Sequence, residues 1–283
     1  MPTSISNGES GLSVRTKLNT IWTDLVTQSI SSETAGTSNF IAGVNAGNSI
    51  LSGGNYNVVV GDEAGNDITT GDYNTAVGYA AADKVSTGEL NTGLGAYALS
   101  ADTLGKRSVA VGASALEAQN FTTATTAYNT AVGYGAGQSV TTGIENTIIG
   151  GNAGDALTDA DFNVAVGYGA LTSDTLGSRS TAIGRSALLS QNFTTATNSY
   201  NTAVGYGAGL LVTTGIENTL IGGLTGDALT EGGLNVAVGT SALGVDTKGS
   251  RNVAVGVSAL NQQNFTTATN SYNTGVGYQA GGA

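Results

Sequence analysis

The sequence predicts an all-β fold, a parallel β-roll or β-solenoid of about fourteen rungs. Three observations predict it: a 17-residue unit recurs along nearly the whole chain, glycine returns at fixed columns, and the segment between glycines is β-branched. Aligned on the Asn of the phrase NTAVG, the anchors are Asn39, Asn57, Asn74, Asn91, Ser108, Asn129, Asn146, Asn163, Ser180, Asn201, Asn218, Asn235, Asn252 and Asn273. The steps are 17 residues, apart from one opening step of 18 and three of 21. From Asn57 onward, three steps of 17 and one of 21 make a 72-residue superrepeat. Self-similarity at a fixed period is the mark of a stacked repeat architecture.

The first element stands outside the repeat. Residues 12–30 read LSVRTKLNTIWTDLVTQSI, and Leu18, Ile21, Trp22, Leu25 and Val26 fall at helical spacing. The prediction is a short amphipathic helix in a segment 1–35, with 29–39 as linker and 36–283 as the repetitive shaft. Such a helix serves as a cap, as the start of a coiled coil, or as a plug into another protein.

Each rung then opens on its anchor, and positions are counted from it. Position +1 is Thr or Val, except Phe40; position +3 is aliphatic; position +4 is glycine in all fourteen units. Position +7 is alanine except at Thr225. A second glycine often stands three residues before the anchor. Glycine supplies corner conformations that a Cβ obstructs. Helix is a poor alternative, because each interior glycine costs about 1 kcal/mol there. Stacking at about 4.8 Å per rung gives a rod of about 65 Å. The anchors Asn57, Asn74, Asn91, Asn129, Asn146, Asn163, Asn201, Asn218, Asn235, Asn252 and Asn273 then form a ladder in which each amide bonds its neighbour.

The four extra residues of each long step lie in QNFTTAT segments, and insertions in repeats emerge as loops on one face. The loops at Phe121, Phe193 and Phe265 are therefore expected to protrude every fourth rung, as candidate host-contact loops; their rings could stack on sugars, but the favoured reading tucks them against the rod or a neighbouring chain. After Gly277 only YQAGGA remains, which leads one to expect a longer fibre or a subunit covering the last rung.

Side chains alternate along a strand, so +1 and +3 share one face and +2 occupies the other. Both faces avoid charge. The expectation is that +1 and +3 fill the roll, while the apolar +2 column is covered by neighbouring copies of the chain. A parallel rod suggests a three-fold axis, hence a homotrimer.

Composition narrows the function. The chain has 20 acidic and 9 basic residues and a net charge of −11, which disfavours nucleic acid and anionic membranes. It has no histidine and no cysteine, which removes disulfides, the usual zinc sites and histidine-based acid–base catalysis. No apolar run approaches the roughly 20 residues that span a bilayer, and residues 1–11 carry no secretory signal pattern. The GYGAG segments at 133–137 and 205–209 lack the lysine and helix start of a phosphate loop and read as corner glycines. Asp155, Asp159 and Asp161 do not recur at nine residues and read as turn carboxylates rather than calcium ligands. A uniform narrow coil without a large insertion has no cleft for a carboxylate pair to work in, so no enzyme and no cofactor are expected.

The recurring N-[TV]-A-V-G-x-x-A phrase resembles the head repeats of trimeric autotransporter adhesins, over residues 39–281. That resemblance implies a left-handed parallel roll that trimerises side by side. NGESGLSVRTKLNTIW at 7–22 is similar to the virion-attachment region of phage tail fibre proteins. Together these imply a fibre made in a host cytoplasm and carried on the virion. Leu12, Val14, Leu18, Ile21, Trp22 and Leu25 would dock into a tail, collar or portal protein, and the rod would reach a host-surface glycan or protein. The other readings are a non-viral surface adhesin, an ice-binding-type β-solenoid and, further off, a polysaccharide depolymerase.

Overall fold

The computed structural model describes residues 36–282. The expected helix and its docking residues Leu12, Val14, Leu18, Ile21, Trp22 and Leu25 lie outside them. The described chain is a parallel β-solenoid. Fourteen three-residue strands, from Phe40–Ala42 to Thr274–Val276, form one sheet in sequence order. Each strand is parallel to the next, in the register of the anchors: Val164 stands on Thr147 and under Thr181, for example.

The strands are short because every rung turns at its glycine. The +4 glycines all have φ between +123° and +139°, a region that side chains rarely adopt. Close stacking is a second reason. A Cβ on Gly150 would lie 2.5 Å from the Gly167 carbonyl oxygen in the rung above. Three further positions are left-handed in every described rung: the residue before the anchor, +6, and +8.

The Asn column forms a ladder, as expected, but its bonding is mostly between side chain and backbone. The Asn146 N–H donates to Asn129 Oδ1 at 2.9 Å, and Asn163 N–H to Asn146 Oδ1 at 2.9 Å. The Nδ2 of Asn146 donates to the Ala160 carbonyl at 2.7 Å and reaches the amide oxygen below at 3.3 Å. Apart from Asn252, each buried amide of the ladder thus ties one rung's strand to its own closing corner. Such pairing is what a buried amide requires.

The core corrects the expected assignment of faces. Position +2 points inward: Ala131, Ile148, Ala165 and Leu220 are fully buried. Positions +1 and +3 point outward; Val236, Ile149 and Ile221 are each about 40% exposed. The reason is room. The interior is narrow and is already filled by the +7 alanines and by an aliphatic column at +11, including Ile68, Val140, Leu157 and Leu229. Alanine fills most of the +2 column beside them, with Ile41, Val59, Ile148 and Leu220 the larger exceptions, while +3 is valine, isoleucine or leucine in all rungs but the first.

Two further inner columns trade volume. Where +8 is glycine, as at Gly65, Gly154 and Gly226, +11 is Ile68, Leu157 or Leu229. A Cβ on Gly154 would come within 2.9 Å of Leu157 Cδ1. Where +8 is leucine, as at Leu99, Leu116, Leu171, Leu188, Leu243 and Leu260, +11 is Asp or Gln. Two kinds of rung result, arranged two by two from Asn91 onward.

Candidate interaction surface

The described residues contain no helix. No three carboxylates converge there as a metal site. Asp159 accepts from Thr142 Oγ1 at 2.7 Å, and Asp161 from the Ile144 N–H at 2.8 Å, so these are partnered turn carboxylates.

The outward face is built from the odd positions of each rung. Thr or Val at +1 and aliphatic residues at +3 form two rows along the rod, one residue per rung. Large residues flank them at the position before the anchor and at +5. Apart from Leu51, Tyr97, Leu211, Leu224 and Val245, every exposed large apolar side chain lies in these four columns. The +3 row is aliphatic in every rung, while the +1 row is threonine in eight of the fourteen, so one unbroken apolar row runs along the rod beside a mixed one.

The flanking columns are ordered by contact between rungs. Tyr56 and Tyr73 stack with ring centroids 4.9 Å apart. Arg179 lies over Phe162 at 4.6 Å and Tyr200 at 5.9 Å, one rung to either side. Arg185 at +5 sits likewise between Tyr168 and Tyr206, each at 5.9 Å.

The candidate host-contact loops lie at the expected rungs, with their rings tucked against the rod. The extra residues do form a feature every fourth rung, where Gly177–Ser178 pairs with Thr197–Asn198 in a small two-stranded sheet, as do the equivalent segments at 105–126 and 249–270. The rings do not protrude. Phe121 and Phe193 are only 4% and 6% exposed, and Phe265 is half-buried. Backbone bonds pull the ring inward: the Phe193 N–H donates to Asp174 Oδ1 at 3.0 Å, and its carbonyl accepts from Thr175 Oγ1 at 2.8 Å. What stands out instead is the threonine run after each Phe, which at Thr122, Thr123 and Thr125 borders a recess of about 340 Å³.

Beneath each loop lies a polar cluster that the repeat pattern did not single out. Asp102 is fully buried. Its Oδ1 accepts the Gly105 N–H at 3.0 Å and the Phe121 N–H at 3.3 Å, and its Oδ2 accepts Gln119 Nε2 at 2.6 Å. Gln119 Oε1 in turn accepts from Asn129 Nδ2 at 2.8 Å. Desolvation raises the Asp102 pKa, against the opposing pull of the donors from Gln119, Gly105 and Phe121. Asp174 with Gln191, and Asp246 with Gln263, repeat the arrangement. The signal was present in the sequence: Asp stands six residues before, and Gln eleven after, the anchor that opens each 21-residue step.

The cluster is closed to solvent and is structural. The surface available to a partner is the aliphatic +3 row and the mixed +1 row, with their aromatic and charged borders. No known family model matches the chain, and neither does any curated protein or solved structure.

Proposed function

We propose that the chain is the shaft of a homotrimeric phage fibre, fixed to the virion through residues 1–35 and serving host-surface attachment. The observation that carries this reading is the outward aliphatic +3 row along all fourteen strands, beside a +1 row of Thr and Val and bordered by tyrosines. Three copies packed row to row around a common axis cover it, and no closed monomer does. The resemblance of the repeat to trimeric adhesin heads and of residues 7–22 to virion-attachment segments points the same way. The role is mechanical: a stiff rod holds recognition surfaces away from the particle, and three chains give multivalent contact. Light scattering tests it. A mass near three times 27.9 kDa supports the trimer, and a mass of one chain sinks it. Deleting residues 1–30 should abolish incorporation into particles and leave the rod folded.

One observation favours a second reading. The outward +1 column presents Thr130, Thr147, Thr181 and Thr202 to solvent at regular intervals, as an ice-binding face requires. Valine interrupts that column at Val58, Val109, Val164, Val236 and Val253, and bulky tyrosines border it. Absence of thermal hysteresis removes this reading.

A further inference from the structure

We propose that two rods pair side by side and antiparallel through the column of residues that precede the anchors, with Glu145 and Glu217 of one rod meeting Arg179 and Arg107 of the other. The proposal goes beyond the fibre reading and does not require it.

The starting point is which charges lack an opposite charge; Arg179 and Arg251 each donate Nε to a neutral acceptor, Asn198 Oδ1 and Asn270 Oδ1, both at 3.2 Å. Each described lysine has an acidic partner one rung below: Lys84 with Asp67 at 3.2 Å, Lys106 with Glu89 at 2.8 Å, Lys248 with Glu231 at 2.7 Å. Among the described residues no arginine makes an ion pair, and Glu145 and Glu217 make neither an ion pair nor a side-chain hydrogen bond. Arg107, Arg179, Arg251, Glu145 and Glu217 all occupy the same exposed column.

Their order within that column is regular. From Arg107 to Arg251 the charge alternates every second rung, Arg, Glu, Arg, Glu, Arg, with an aromatic residue or leucine between. Opposite charges in one column are thus about 9.6 Å apart at two rungs, too far to pair within the chain. Two parallel copies in register would set like against like. Turning one copy end for end about a two-fold axis at the Phe162 rung reverses this. Glu145 then faces Arg179, and Arg107 faces Glu217. The uncharged rungs agree as well: Tyr128 meets Tyr200, Leu90 meets Leu234, and Tyr73 meets Arg251, an aromatic face for a guanidinium. An isologous contact of this kind closes on itself. Charge pairs at a solvent-exposed edge set register and partner choice more than they supply affinity. The apolar residues between them supply the contact area.

The backbone permits a clean test. Glu145 and Arg179 share the same left-handed conformation, φ +56° and +64°, so exchanging one type for the other adds no backbone strain, and circular dichroism checks that each variant keeps the fold. Two full-length variants are made, Arg107→Glu/Arg179→Glu/Arg251→Glu and Glu145→Arg/Glu217→Arg. Mass is measured by light scattering in dilute buffer and at about 1 M salt, where the screening length is about 3 Å. The wild-type mass is expected to halve at high salt. Each variant alone should show the halved mass in dilute buffer, and an equimolar mixture of the two should return to the doubled value. Gold labels on the N-termini should lie at opposite ends of a pair. A wild-type mass equal to that of both variants, a mixture that does not pair, or labels at the same end overturns the proposal. The mass of the unpaired rod reports separately on the trimer, so either reading can fail alone.

Discussion

Gln119 stands one rung above Asp102 and donates its Nε2 to the Asp102 Oδ2 at 2.6 Å, with both side chains fully buried. The direction of that bond is imposed from both sides. Asp102 can only accept, and the amide of Asn129 is held by the ladder, since Asn129 Oδ1 accepts the Asn146 N–H and its Nδ2 donates to the Gly143 carbonyl.

Asp102→Asn should therefore destabilise the rod despite its near-identical shape. The new amide turns an N–H₂ toward Gln119 Nε2, and flipping Gln119 moves the conflict to Asn129. A loss of roughly 1–3 kcal/mol is expected, measured by thermal unfolding.

The pH dependence of the same residue has a definite sign. Burial raises the pKa of Asp102 in the folded state. The native chain then binds that proton at higher pH than the unfolded chain does, so the ionised carboxylate detracts from stability at neutral pH. The penalty is relieved as pH falls through the folded value, and is gone below the unfolded value of about 3.9. Melting temperatures from pH 7 to pH 4 should rise for the wild type relative to Asp102→Asn. A difference that stays constant, or runs the other way, contradicts the assignment.

Glycine substitutions should separate two corner positions. Gly150→Ala meets the Gly167 carbonyl at 2.5 Å with φ +137°, and should cost roughly 3 kcal/mol or more. Gly169→Ala, with φ +61° and open space around it, should cost only about 1 kcal/mol. Chemical denaturation of the pair checks the contrast.

Leu171→Gly opposes two effects. Glycine relieves the left-handed backbone, φ +56°, by about 1–2 kcal/mol. Emptying a fully buried leucine site costs about 2.7–5 kcal/mol. The cavity wins, and a net loss of about 2 kcal/mol is expected from the same measurement.

Deletions should respect the 72-residue superrepeat. Removing 129–200 joins Tyr128 to Asn201 and restores every column, so a ten-rung rod should fold. Removing 108–128 keeps the ladder but sets Asp102 against Val140 in place of Gln119, leaving a buried carboxylate without two of its donors. Its melting should fall by the equivalent of roughly 3 kcal/mol relative to the longer deletion. Circular dichroism of both chains decides.

The repeat, the glycine corners and the Asn column were readable from the residues because each recurs once per rung. The inward face was not. Ile41, Val59 and Leu220 at +2 are as apolar as Val60, Ile149 and Val238 at +3, so alternation alone cannot say which row is inside. Only the volume claimed by the +7 and +11 columns decides it. The Phe loops were legible in outline: an insertion predicts a bulge in the backbone, and the inward ring goes with the hydrogen bonds to Asp174 or Asp102, which the repeat pattern did not single out. The Asp–Gln clusters recur only every fourth rung, inside a column otherwise aliphatic, and so are hidden in a 17-residue alignment.

The two kinds of rung, glycine at +8 with an aliphatic +11 or leucine at +8 with a polar +11, mean that the rod is graduated. A uniform solenoid could lose or gain a rung during folding with little penalty, because every strand would fit every other. Here a slip of one rung parts an Asp from its Gln and strands a carboxylate against an aliphatic layer. Only a shift of four rungs brings like onto like, and that shift spans 72 residues of chain. The alternation thus works as a proofreading scale for assembly, one that tells the growing stack how far along it is.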